Sequence, residues 1–319
     1  MTDGNEKVVI AANGCLLTVQ PEFGGKVSSL RVHDHELLQQ PLRPIRKRST
    51  EMAFEESDAS GWDECLPTVA AGTVETSAGS VQTLDHGDLW RVPWRVLGRD
   101  PDAITMSARC LSLPLELTRS MMLAETAAGW RLRTLYSLRN LGPHRLPWSW
   151  AAHPLFACEA GDRIVLPPSI QRLRVEDSRG NRLGVAGDWI GWPRAAAVDS
   201  PGSPARHAPE LSVAETAATG YAEKLFSEPL SSADGWSTLE RANIGLQLTV
   251  RFDAQVTPYL GLWLCYGGWP ETGQRQMCVA MEPTTAPTDA LANMGAWSRW
   301  IEPGGTTYWP LDIEIEQIG

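Results

Sequence analysis

Apolar residues in this chain tend to recur at every second position, and that habit limits what it can fold into. In Trp130-Arg-Leu-Arg-Thr-Leu-Tyr-Ser-Leu138, the residues Trp130, Leu132, Tyr136 and Leu138 occupy alternate positions. Successive strand side chains point to opposite faces, so this spacing puts all four on one face of a β-strand. Leu246, Leu248, Val250 and Phe252 repeat the pattern, as do Trp309, Leu311, Ile313 and Ile315. Leu260 to Tyr266 is instead a nearly continuous apolar run, which suits a strand buried on both faces. Asn140-Leu-Gly-Pro143 supplies turn chemistry before a further strand around Pro147-Trp-Ser-Trp150. Helical periodicity is almost absent, with one turn of helix expected between Thr288 and Trp300. With 28 Gly and 23 Pro as punctuation, the sequence predicts an all-β fold, a large antiparallel β-sandwich.

Sandwiches of this kind run past 200 residues as one unit, so residues 1–319 are expected to form a single domain. The linker-like segment Ser200 to Pro209 has the same strand character on both sides and reads as a surface loop. A formal charge of −10 disfavours nucleic acid as a partner. The basic run Arg43-Pro-Ile-Arg-Lys-Arg48 reads as a solvated loop, with a phosphate-binding role as the alternative. No apolar stretch approaches membrane-spanning length and the N-terminus has no apolar leader, which predicts a cytoplasmic protein without a membrane partner. The six cysteines stand singly, with no Cys-x-x-Cys spacing, and read as small buried apolar residues.

Six histidines leave few side chains for proton transfer near neutral pH. His33 and His35 form a His-x-His pair, but no further His or Cys cluster completes a metal site, so an exposed turn is expected. His144 follows a Gly-Pro turn and His207 lies in the linker-like loop; both read as solvated. His86 sits in Leu84-Asp-His-Gly-Asp-Leu-Trp90, where Gly87 permits a close approach to the backbone. His153 directly follows a strand in Trp150-Ala-Ala-His-Pro-Leu-Phe156. A lone histidine among apolar residues is more often a hydrogen-bonded core residue than a catalyst, and sequence spacing leaves both readings open. Glu282 closes the apolar strand Cys278-Val-Ala-Met-Glu-Pro-Thr284. A carboxylate there is costly unless partnered, and burial would raise its pKa toward the range useful to a general base. Pro283 equally suits a strand end facing water. Asp63 and Glu64 lie between apolar neighbours in Trp62-Asp-Glu-Cys-Leu-Pro67 and point to opposite faces, so only one can face a given pocket.

Taken in this order, the segments resemble the galactose mutarotase-like superfamily, and aldose 1-epimerases in particular. Gly24-Gly-Lys-Val-Ser-Ser-Leu30 resembles that family's N-terminal Gly-Gly strand, and His86-Gly87 its histidine–glycine element. His153-Pro-Leu-Phe156 resembles the segment with the catalytic histidine, Glu282-Pro283 the late strand with the catalytic glutamate, and Pro303-Gly304 the approach to the last strand. The resemblance spans nearly the whole chain. It implies a β-supersandwich, no metal or organic cofactor, and acid–base interconversion of the anomers of a free sugar. Glu282 would take the C1 hydroxyl proton, His153 would protonate the ring oxygen, and His86 would hold the sugar near that oxygen. A carboxylate and an imidazole tuned toward neutrality would suffice.

Two departures stand out. Leu155 replaces an aromatic residue of the family segment, and Gly61 to Pro67 occupies the region of a substrate-binding arginine. Asp63 and Glu64 become candidates for sugar binding in its place, and the sugar need not be galactose or glucose. Trp90 or Trp263 is expected to line the pocket, because an indole face stacks on the C–H face of a pyranose. The expected partner is a small sugar. Competing readings are a non-catalytic carbohydrate-binding protein, and a lyase or hydrolase on the same fold, where Asp63 or Glu64 would join Glu282 as a second carboxylate. A metal-dependent isomerase would need ligands that His33 and His35 do not complete.

Overall fold

In the strand Gly129–Asn140, Trp130, Leu132, Thr134, Tyr136, Leu138 and Asn140 are buried, while Arg131, Arg133, Leu135 and Arg139 are exposed. The period-two spacing has become a strand with one wet face and one dry face. The computed structural model describes residues 7–196, 208–293, 295–297 and 299–318. Strands and their turns account for nearly all of its regular structure, with short 3-10 turns between them.

Two large antiparallel sheets dominate. The eight-stranded sheet runs in the order Arg163–Val165, Trp236–Arg241, Leu246–Phe252, Thr306–Gln317, Gly129–Asn140, Leu115–Thr126, Ala103–Arg109 and Arg95–Arg99. The eleven-stranded sheet runs Val8–Ala12, Cys15–Gln20, Lys26–Val32, Trp62–Cys65, Ala151–Ala157, Met277–Thr284, Tyr259–Tyr266, Tyr221–Phe226, Arg172–Ser178 and Trp189–Gly191, with His35–Glu36 beside Lys26–Val32. Their inner faces share one apolar cluster. Leu225, Leu262, Val279 and Met281 of the larger sheet join Leu132, Leu248, Leu311 and Ile313 of the smaller one. The fold is the all-β antiparallel sandwich that the alternation predicts.

A polar tie crosses this core. The Glu64 carboxylate accepts bonds from Arg119 Nη1 at 2.8 Å, Tyr136 Oη at 2.8 Å and Trp150 Nε1 at 2.9 Å. Glu64 and Arg119 are wholly buried, so each charge depends on the other.

Other expectations meet mixed outcomes. The turn of helix expected between Thr288 and Trp300 is present as two short 3-10 turns, Leu291–Asn293 and Gly295–Trp297. His33, His35 and His144 are exposed. Segment 200–209 lies almost wholly outside the described residues, and His207 with it. All six cysteines are free; five are buried and Cys110 is half-buried. The basic run is solvated at Arg46 and Lys47, but Arg48 is a correction. Its guanidinium is buried, 2.6 Å from Asp58 and stacked 5.0 Å over the Trp90 ring, because a carboxylate and an indole face together replace its water. No helix among the described residues is long and apolar enough to cross a membrane.

Candidate active site

The second, outward face of the larger sheet carries the site. Directly opposed residues in antiparallel strands project to the same side. Asp63 opposes His153, Ala280 opposes both Leu155 and Trp263, and Lys224 opposes Trp263. Glu282 lies two residues beyond Ala280, opposite Gly261, so His153, Glu282, Trp263 and Lys224 share one face. A Cβ at Gly261 would come within 3.4 Å of the Glu282 Cβ and 3.1 Å of the Phe226 ring, so glycine makes room for this carboxylate. Leu155, Ala222, Cys265, Cys278 and Ala280 form a small apolar cluster on the same side, with Trp263 and Trp269 packed against it.

A cleft opens there, lined by Phe54, His86, His153, Lys224, Trp263 and Trp269 among others. His86 reaches it from a tight turn. It adopts the left-handed region at φ 55°, followed by Gly87 at φ 70°. A side chain at position 87 would lie 2.4 Å from the Leu66 carbonyl oxygen, so the glycine is required where two backbone segments touch. Asp88 anchors the turn. It is wholly buried, and its Oδ2 accepts from the Leu111 amide at 2.9 Å, the Ser112 amide at 2.8 Å and the Ser112 hydroxyl at 2.6 Å.

The His86 ring is oriented by Asp85 Oδ2, 2.9 Å from Nδ1. Burial opposes the charge on Asp85, yet the hydrogen bond and charge of His86, with Arg91, hold its carboxyl below the usual range. An ionised carboxylate only accepts, so Nδ1 carries a proton and Nε2 is the atom turned away from Asp85. Phe54 stacks on this ring, with centroids 3.7 Å apart and planes 5° from parallel, and meets His153 edge-on at 5.7 Å.

The two histidine rings lie 5.4 Å apart, and His153 Nε2 is 3.8 Å from Glu282 Oε1. That separation is contact without a hydrogen bond. Glu282 is wholly buried, Lys224 Nζ donates to its Oε2, and its Oε1 has no hydrogen-bond partner. Burial raises the Glu282 carboxyl above the ordinary value; the Lys224 charge works against that shift and the Asp289 charge adds to it. Burial favours a neutral Lys224, but Asp289 and Glu282 outweigh it and hold the ammonium protonated. His153 is pushed well below its ordinary value, first by burial and then by the positive fields of His86, Lys224 and Lys26. It is therefore a neutral imidazole near pH 7, which corrects the expectation of an imidazole tuned toward neutrality.

The sequence candidates fare differently. His86 and His153 line the cleft despite their wide separation in the chain, Glu282 is wholly buried and meets His153 at 3.8 Å, and Trp263 lines the cleft with its Nε1 bonded to Gln276 Oε1 at 3.1 Å. Trp90 does not line it: the indole is wholly buried beneath Phe54, with Arg91 over its face at 4.2 Å. Asp63 and Glu64 point to opposite faces, but neither lines the cleft. Asp63 is 2.6 Å from Lys26 Nζ inside a buried group with Asp58 and Arg48, and Glu64 is held in the core by Arg119. Isolated carboxylates at those depths would be too costly, so each is committed to a cation. Sequence reasoning missed Phe54, Lys224, Trp269 and Asp289. Lys224 left a signal, a Glu-Lys pair inside the apolar strand Tyr221–Phe226.

No protein-family model and no curated protein matches the chain. Solved structures do. A Synechocystis sp. PCC 6803 protein superposes with TM-score 0.71 at 18% identity, over 99% of each chain. A protein of Escherichia coli K12, provisionally named an aldose 1-epimerase, gives TM-score 0.71 at 14% identity over 99% of this chain and 100% of its own. A galactose mutarotase-like protein from Lactobacillus casei ATCC 334 gives 0.68 at 15% identity, over 98% and 100%. The chain has the galactose mutarotase-like fold, in a sequence far diverged from these structures.

Proposed function

We propose that the protein interconverts the anomers of a free monosaccharide by acid–base catalysis without a cofactor. One observation carries the reading: a buried carboxylate with an unpartnered oxygen lies 3.8 Å from an imidazole at the wall of an aromatic-lined cleft. The fold shared with proteins named for epimerase and mutarotase chemistry supports it. O1 and O5 of a cyclic sugar are bonded to the same carbon, so two groups a few ångströms apart can serve both.

Glu282 Oε1 lifts the proton from O1. As the C1–O5 bond breaks and C1=O1 forms, O5 takes the Nε2 proton of neutral His153. The proton held by Glu282 then refills Nε2, and the pair returns to its starting state. Rotation about C1–C2 and the reverse steps give the other anomer. His86 Nε2 hydrogen-bonds a sugar hydroxyl, and Trp263 or Trp269 stacks on the ring.

Saturation-transfer NMR across free and phosphorylated monosaccharides tests this. Enhanced exchange for at least one sugar is expected. Binding of a sugar without enhanced exchange would replace the proposal with that of a carbohydrate-binding protein. Release of reducing sugar from glycans would instead indicate a hydrolase.

A further inference from the structure

We infer that Lys224 is a positioning residue that keeps Glu282 ionised and turns its free oxygen toward the reacting sugar; the inference rests on the acid–base reading above. Both side chains are nearly inaccessible, with Lys224 at 7% and Glu282 at 1% exposure, and Nζ donates to Oε2. Tying down one carboxylate oxygen leaves Oε1, unpartnered and beside His153, as the only lone pairs available for proton abstraction.

The surroundings show why an ammonium is needed. Glu282 is faced by Lys224 from Tyr221–Phe226, His153 from Ala151–Ala157, Cys65 from Trp62–Cys65, and Cys278 from its own strand. Asp289 and His86 face it from loops. His153 is neutral, and Asp289 opposes a second negative charge. Lys224 is the only lysine or arginine in that set. Without its charge, a dehydrated carboxylate beside Asp289 would take up a proton, and a protonated carboxyl cannot act as a base. A purely structural ion pair would have no such consequence for the pH dependence of turnover.

The test compares pH profiles of anomer exchange for the wild type, Lys224→Met, Lys224→Gln and Lys224→Arg. Alongside them, the Glu282 side-chain carboxyl is titrated by ¹³C NMR without sugar, its resonance assigned from Glu282→Gln. Both neutral variants should shift the acid limb to higher pH. Exchange at pH 7 should then fall about tenfold for each pH unit by which the limb overtakes it, and recover in more alkaline buffer. The carboxyl resonance should shift by the same amount, and Lys224→Arg should restore both toward wild type. Lys224→Gln guards against a Met variant that fails to fold. An unmoved acid limb and an unmoved carboxyl titration in the neutral variants would overturn the inference. Absence of exchange in the wild type with every sugar would remove the proposed function, while the carboxyl titration would still decide the role of Lys224.

Discussion

Burial moves Glu282 and His153 in opposite directions. Burial raises the carboxyl and depresses the imidazole, so the acid limb of exchange belongs to Glu282 and lies above the ordinary carboxylate range. The sign follows from function: a base is lost as pH falls through its pKa. His153 is already neutral near pH 7, so raising pH from 7 to 9 should cause no loss of rate from imidazole deprotonation. A pH–rate profile with a descending limb near pH 6.5 to 7.5 would contradict this. Glu282→Gln should lower kcat by ~10²–10⁴-fold while leaving most of the sugar affinity, since it removes proton transfer and keeps the shape. His144→Asn, on the exposed surface, should leave the rate unchanged. His86, His153 and Glu282 stood out because each sits beside a Gly or Pro, although His153 and Glu282 lie inside the strands Ala151–Ala157 and Met277–Thr284 rather than at their ends. Their protonation states were not legible, because those depend on Lys224, Asp289 and Lys26, which arrive from other strands and loops.

The strand bearing His153 and the turn bearing His86 are held by different means, and the turn is the more fragile. Its left-handed backbone at His86 and Gly87 is held by backbone bonds to Val69, Leu84 and Leu66 and by Asp88, whose carboxylate serves two amides and a hydroxyl of Leu111 and Ser112. Asp88→Ala should destabilise the protein by ~1–3 kcal/mol in all, because water reaches the half-exposed donors of Leu111 and Ser112, read as a fall in the urea midpoint. Because His86 moves with the turn, sugar affinity should fall in the same variant. A full loss of stability with unchanged affinity would show that His86 is placed independently of Asp88. Alternation made the strands readable, since Trp130 to Leu138 and Leu246 to Phe252 each state their own buried face. Phe54 was not readable: nothing around Met52-Ala-Phe-Glu-Glu distinguishes a cleft residue from any loop apolar group. Arg91 fastens that loop through the carbonyls of Ser49, Thr50 and Met52, a contact spanning about forty residues of chain that no local pattern encodes. Asp63 and Glu64 show the same limit. Their opposed directions could be foreseen, but the cations that absorb them, Lys26 and Arg119, are set by tertiary pairing.

At the scale of the whole molecule, the core leaves little for either half to fold upon alone. The last strand, Thr306–Gln317, lies between Gly129–Asn140 and Leu246–Phe252 in the smaller sheet, so the end of the chain completes the middle of a sheet. The larger sheet likewise joins segments from Val8 to Thr284, and one apolar cluster runs through both sheets. The Glu64 carboxylate adds a second coupling: it belongs to the larger sheet and is satisfied by Arg119 and Tyr136 of the smaller one. Breaking that pair leaves an uncompensated buried charge, so Glu64→Ala should cost ~3–5 kcal/mol, seen as a lower unfolding midpoint. If the sheets form one cooperative unit, the wild type and this variant should both unfold in a single transition, at the same urea concentration by far-UV circular dichroism and by tryptophan fluorescence. The 14 tryptophans make fluorescence a fair witness, since Trp62, Trp150 and Trp309 are buried across both sheets. Two separated transitions, with Glu64→Ala displacing only one of them, would mean that the sheets are energetically independent and that 1–319 is two units rather than one.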